Sequence, residues 1–300
     1  MDSHKTTVGR TGVQAWRIGG TGRRMKPLEL VVKVIATLVI GVFAVLMIVP
    51  YLWMISTSFK VNGDVFKYPI DWIPNTFHWD NYKKVWTGAN PFYVYYWNSI
   101  KITGITVAGN LFTSAMAGFA FAKLRFKGRN ALFLLYLSTM MIPGQVLLLP
   151  RFILFDWMKL INTHWALILP GMFTVFGTFL MRQFFSTLPG ELMEAARVDG
   201  AGFWRMFWQI SLPLTKPALV TLLILSFTWH WTEYEAPLIF LRDKPLYTIP
   251  LGLTNYVEEF GTDYVLTMAA SVSALLPLLI VVIVCQKWFV EGLASSGIKG

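Results

Sequence analysis

The apolar positions of this chain are gathered into long runs. A bilayer hydrocarbon core about 30 Å thick takes about 20 such residues as one helix. Six runs approach that length, at 34–55, 102–122, 131–155, 165–181, 217–240 and 265–288, the third interrupted by Pro143, Gly144 and Pro150. In hydrocarbon each must be helical, because only a helix satisfies its own backbone hydrogen bonds within one segment. The expected fold class is therefore an all-α polytopic membrane protein with six transmembrane helices. Its membrane domain spans 34–290, between an N-terminal segment 1–33 and a C-terminal tail 291–300.

Composition agrees with that pattern. The chain is 55% hydrophobic and 14% charged, against about 25% charged in soluble domains. The first apolar run is too long for the h-region of a signal peptide and is expected to stay as a helix. The single Cys285 excludes a disulfide within the chain and reads as a small apolar side chain in the sixth run.

The net charge of +10 is unevenly placed. If the N-terminus, the second-to-third and fourth-to-fifth connections and the tail share one side, that side holds 16 bases against six acids, and the other holds eight of each. Short loops rich in Lys and Arg stay in the cytoplasm, so both termini are expected there. The basic balance thus reports topology, and no nucleic acid or acidic partner is inferred from it. Trp53, Trp72, Trp79, Trp86, Trp97, Tyr93, Tyr95 and Tyr96 crowd the first outer loop and its edges, as an interfacial aromatic belt does.

The connection from Arg182 to Lys216 is about 35 residues long, where most connections take about 4–6. Within 186–213, Ser186 or Thr187 can cap a helix, Pro189 suits its first turn, and Glu191 and Glu194 complement its positive end. Gly200 can take the left-handed conformation that ends it. The spacing predicts a short helix from Pro189 to Asp199. A second follows, with Phe203, Trp204, Phe207 and Trp208 on one apolar face. Two short helices joined at a glycine elbow make a knob of the kind that docks in a cleft on a soluble partner.

Glu194-Ala195-Ala196, three residues, Gly200, nine residues and then Ile210-x-Leu212-Pro213 resembles the EAA signature of bacterial ABC importer permeases. The resemblance extends from about Asn98 to the C-terminus and points to the carbohydrate-uptake branch, typified by the second maltose permease subunit. Further matching segments are Pro143 to Pro150, Trp231 to Leu238, Thr248 to Leu253, and Gln286 to Gly292 with Gly297-Ile298-Lys299-Gly300. The first 90 or so residues resemble the family mainly in layout.

That resemblance implies a type I importer fold in the bacterial or archaeal inner membrane, moving a sugar or oligosaccharide inward. It implies a second homologous permease subunit, two separate ATP-binding subunits that hold ATP and Mg, an extracytoplasmic solute-binding protein and surrounding lipid. Glu194, Ala195, Ala196, Asp199, Gly200, Ile210, Leu212 and Pro213 would couple to the ATPase, and Gly297, Lys299 and Gly300 would reach along it. The outer loop from Leu241 to Tyr264 would meet the binding protein. The same machine for a glycerol phosphodiester or polyol remains open.

The chain contains no G-x-x-x-x-G-K-[ST] phosphate loop. His4, His78, His164 and His230 are scattered without metal-ligand spacing or a nucleophile beside its base. No catalytic residue, metal or cofactor is therefore expected in this chain. An ATP-independent secondary transporter would call for paired intramembrane charges or inverted repeats, and none stands out.

Ionisable groups within a span are functional by default. Glu233 lies about 24 Å along a helix begun at Pro217, close to the outer boundary, where path lining and interfacial placement fit equally well. Glu235 points to another face and reads as interfacial. Gln145 sits beside the Pro143-Gly144 kink, which suits either a helix that rocks or a merely structural bend. With Trp231 and Tyr234 from a matching segment, Gln145 and Glu233 are the expected path residues. The family commonly has Asn where Thr232 stands. In the second run Ser114, Gly118 and Ala122 make a small-residue stripe that lets two helices approach, read as packing.

Overall fold

A computed structural model describes residues 27–88, 91–258 and 263–297. The chain divides into two compact units after Pro50. Helix α1 (Pro27–Ser58) begins in the first unit, seven residues before the expected span. Its apolar side chains there, from Leu28 to Met47, are exposed around the helix, the surface that lipid covers in a membrane.

In the second unit α1 ends, and α2 (Asp80–Thr87), α3 (Phe92–Lys123), α4 (Arg129–Ser138), α5 (Leu148–Trp157), α6 (Trp165–Gly171) and α7 (Val175–Thr187) follow. The long connection holds α8 (Gly190–Val198), α9 (Phe203–Arg205), a π-helical segment (Met206–Ser211) and α10 (Leu212–Leu214). Then come α11 (Lys216–Trp231), α12 (Glu235–Phe240), α13 (Ile249–Leu253), α14 (Asn255–Glu258) and α15 (Tyr264–Gly297). No strand occurs among the described residues. Among the described residues, four stretches are long and apolar enough to cross a membrane: Leu28–Ser58, Phe92–Lys123, Trp165–Thr187 and Tyr264–Lys287. Two bent pairs bring the number to six when each is one span.

The first pair, Arg129–Met141 and Gly144–Trp157, is bent by 90°. Its break falls at Pro143 and Gly144 as expected. Pro150, however, does not interrupt the span. It sits in the first turn of α5, where a missing N–H costs no helical bond. The fifth span also differs: its straight helix stops at Trp231, and only α12 resumes beyond it. Glu233 terminates the break, its Oε1 accepting the Ala236 N–H at 3.1 Å. The sixth helix runs on to Gly297, past the expected end of the span at 288. Lys299 and Gly300 lie outside the described residues.

α3 is the central post, packed against α6, α7 and α11. At Gly118 the α7 backbone comes so close that a Cβ would lie 2.8 Å from the Arg182 nitrogen. The small-residue stripe therefore sets the α3–α7 crossing. Around it Phe119, Met181, Phe185, Phe207 and Leu222 form one buried cluster. At the other end Val85, Phe92, Tyr95, Trp231, Ile249 and Ala269 form a second. Tyr95 and Trp231 belong to this core because a membrane protein's interior is apolar as well as its lipid face. Tyr95 lies flat against Gly252. The expected aromatic belt is thus partly core, while Trp72, Trp79, Tyr93 and Trp97 stay exposed.

A polar hub ties three spans together. Asn110 donates to Ser226 Oγ at 3.0 Å, and its Oδ1 accepts from Ser114 Oγ at 2.8 Å and from Thr174 Oγ1 at 3.1 Å. Asn110→Leu strands three hydroxyls, so we expect a loss of about 2 kcal/mol in stability. Thermal unfolding of the detergent-solubilised protein checks this, and an unchanged midpoint would show the hub to be dispensable.

Candidate functional site

The long connection folds as a two-helix projection. α8 begins one residue later than expected, with Pro189 rather than Ser186 or Thr187 at its N-cap. The two hydroxyls turn back instead, Ser186 donating to Arg182 O at 2.8 Å and Thr187 to Phe184 O at 2.8 Å. They finish α7 rather than start α8. Leu188 is extended and its carbonyl accepts from Lys123 Nζ at 2.7 Å, which pins the root of the projection to α3.

The amphipathic pattern of α8 decides its orientation. Met193 and Ala196 are buried in the cluster built on α3, α7 and α11. Glu191, Glu194, Ala195, Arg197 and Asp199 face outward, and Val198 is 88% exposed. Gly200 has φ +75°, the left-handed conformation expected of the elbow. Ala201 N donates back to Ala196 O at 2.8 Å and Gly200 N to Arg197 O at 3.0 Å, closing the helix end.

Beyond the elbow the four aromatic residues do not share one face. Phe207 is buried and Phe203 half-buried against Phe119, whereas Trp204 and Trp208 remain outside. The helical repeat itself makes the split, since residues four apart share a face and put Phe203 with Phe207 and Trp204 with Trp208, and a π-helical turn follows from Met206. Trp208 stacks on Phe112 at 6.2 Å between ring centroids. Ile210 and Leu212 are half-buried and packed on the same cluster, while Pro213 is exposed in α10. A bend of 77° then leads into α11. The projection is thus an exposed helix packed by its inner face against α3, α7 and α11.

A second feature is a cavity of about 830 Å³ walled by α3, α5, α6 and α11. Gln145 and Glu233 line it. Trp231 does not: it is 3% exposed, donates Nε1–H to Ala274 O at 2.9 Å and stacks on Phe227 at 5.4 Å. Tyr234 is exposed but lies outside the lining. Glu235, expected at the interface, lines the cavity. Sequence reasoning missed Arg151, Trp229 and His230, which also line it. Trp229 stands one helical turn before Glu233, and that spacing was the available signal.

The family model described as "Binding-protein-dependent transport system inner membrane component" matches residues 109–295. The arabinooligosaccharides transport system permease protein AraQ of Halalkalibacterium halodurans is 36% identical over 259 residues, covering 86% of this chain and 93% of that protein. The sn-glycerol-3-phosphate transport system permease protein UgpE of Yersinia pestis is 34% identical over 266 residues, covering 86% and 94%. Among solved structures, a bacterial ABC transporter involved in import of the acidic polysaccharide alginate superposes with a TM-score of 0.80 at 22% identity, over 88% of this chain and 99% of that one. The all-α, bent-span architecture and these matches agree, and the chain belongs to the inner-membrane permease components of binding-protein-dependent ABC importers.

Proposed function

We propose that this chain carries a sugar or oligosaccharide across the inner membrane, paired with a second homologous permease over two ATP-binding subunits that hold ATP and Mg²⁺. An extracytoplasmic binding protein delivers the solute. The chain has no catalytic role of its own and takes its energy from α8, which seats in a cleft of the ATPase.

The observation that carries this reading is the α8 projection. A nine-residue helix leaves Glu194, Ala195 and Val198 exposed while Met193 and Ala196 anchor it to the membrane core. Mixed charged and apolar exposure on a rigid short helix suits docking into a groove. The basic residues Arg125, Lys127, Arg129, Arg197 and Arg205 lie in the connections on the side of this projection, which supports a cytoplasmic position for it and for both termini. The relatives named for arabinooligosaccharides favour a saccharide, and those named for sn-glycerol 3-phosphate favour a phosphorylated polyol as the second reading.

Expressed with its operon neighbours and purified in detergent, the chain should bring down an ATP-binding subunit and a second permease. Recovery of the chain in good yield with neither would remove the importer reading. Thermal-shift screening of the cognate binding protein against neutral sugars and phosphorylated polyols then separates the two solute classes.

A further inference from the structure

We infer that this chain itself carries a solute subsite in the cavity between α5, α6 and α11, shaped for a neutral sugar residue and unsuited to an anionic one. The inference rests on the importer reading and goes further by assigning the contact to this subunit and the charge class to its solute.

Trp229 is the first reason. It is 70% exposed and lines the cavity, whereas Trp231, two residues on, is 3% exposed in the core. A flat indole left uncovered in a cavity of about 830 Å³ is a platform for the C–H face of a pyranose or furanose ring. The volume lies within the range of small-molecule sites, about 300–1,000 Å³.

The polar groups around the platform are the second reason. Gln145 comes from the broken third span, Arg151 from α5, and Glu233 and Glu235 from the break after α11. They offer amide, guanidinium and carboxylate partners to hydroxyl groups, and carboxylate acceptors make the stronger, charge-assisted bonds. Glu233 is held in place through Oε1, which accepts the Ala236 N–H at 3.1 Å. Its second oxygen carries no hydrogen bond among the described residues. His230 packs close to Gly171, where an added Cβ would fall 2.7 Å from its Cε1.

Charge supplies the selectivity. The lining holds two carboxylates and one guanidinium, and Arg151 lies over the Phe240 ring at 5.6 Å. A uronate or phosphate ester entering the cavity meets like charge at reduced dielectric, a repulsive element that a neutral hydroxylated ring does not meet.

The test uses the assembled transporter, with its ATPase and binding protein, in proteoliposomes. Arabinotriose and maltotriose are the neutral probes, and trigalacturonate and glycerol 3-phosphate are the anionic ones. Uptake of a neutral probe is expected to fall about tenfold in Trp229→Ala and to stay within about threefold in Trp229→Phe, which keeps an aromatic face. Glu233→Gln should cost about fivefold through loss of a charged acceptor. Gln145→Ala, in the same lining, gives an independent reading should Trp229→Ala fail to reach the membrane, with an expected loss of about threefold. Uptake within twofold of wild type in all the variants that assemble overturns the subsite and leaves the importer reading intact. Uptake of either anionic probe as fast as the neutral ones overturns the charge class. ATP-independent uptake by a complex lacking any ATP-binding subunit would instead remove the underlying reading.

Discussion

Gly118→Leu is expected to abolish accumulation of the folded permease. A Cβ at this position would lie 2.6 Å from Met181 Cβ, 2.8 Å from Arg182 N and 2.9 Å from Met181 C. Two of those three atoms are backbone, so no rotamer change relieves the clash. α3 and α7 must separate instead. That opens the cluster in which Phe119, Met181 and Phe185 are almost wholly buried and strains the Asn110 hub about two turns away. Overpacking a rigid contact costs about 1–3 kcal/mol and rises further when backbone must move. Gly104→Leu is the matched control, since nothing lies within 4 Å of its added Cβ. Membrane levels of tagged protein and the melting temperature in detergent should separate the two variants widely. Equal levels and equal melting temperatures would mean that the close α3–α7 crossing is not what holds the bundle.

The contrast between these two glycines also shows what the chain's letters reveal and what they conceal. The apolar runs betray the long spans because the membrane demands length, and the Ser114/Gly118 stripe betrays a crossing because small residues are needed where backbones meet. Hydrophobicity alone does not say which face is lipid and which is core. Tyr95 and Trp231 read as interfacial or path-lining residues, yet both are packed inside. The stop of α11 at Trp231 was hidden for a similar reason, because Trp231-Thr232-Glu233-Tyr234 contains neither Gly nor Pro. The break carries instead a local side-chain bond, Glu233 Oε1 accepting the Ala236 N–H. The π-turn at Met206–Ser211 likewise leaves no local mark. In the connection between α7 and α11 the elbow at Gly200 was legible from its spacing and is borne by a positive φ. In the cavity, Arg151 was hidden by its place next to an outer loop, and Trp229 showed only in its spacing from Glu233.

The elbow carries the largest functional prediction. Gly200→Val is expected to reduce solute-stimulated ATP hydrolysis to the unstimulated rate while the complex still assembles. Nothing lies within 4 Å of a Cβ at Gly200, so the penalty comes from its φ of +75° and not from crowding. Left-handed backbone costs an L-residue about 1–2 kcal/mol, and a β-branched one more. The cheapest relief is to unwind the end of α8, since Gly200 N and Ala201 N close that end on Arg197 O and Ala196 O. Unwinding re-aims Ala195, Val198 and Asp199, the outward surface, while Met193 and Phe207 keep the rest of the projection seated. The projection then remains attached to the spans but no longer presents the same outward face. Gly200→Asn is the discriminating partner, because Asn tolerates the left-handed region, and it should retain most of the stimulation. Ala195→Arg attacks the same surface without touching the backbone and should uncouple equally, since Ala195 is exposed and its replacement disturbs no core contact. Full stimulation in Gly200→Val and Ala195→Arg together would show that α8 transmits nothing. Labelling of Glu194→Cys, in a Cys285→Ala background, by a membrane-impermeant maleimide added outside intact cells would place α8 beyond the reach of any cytoplasmic ATPase.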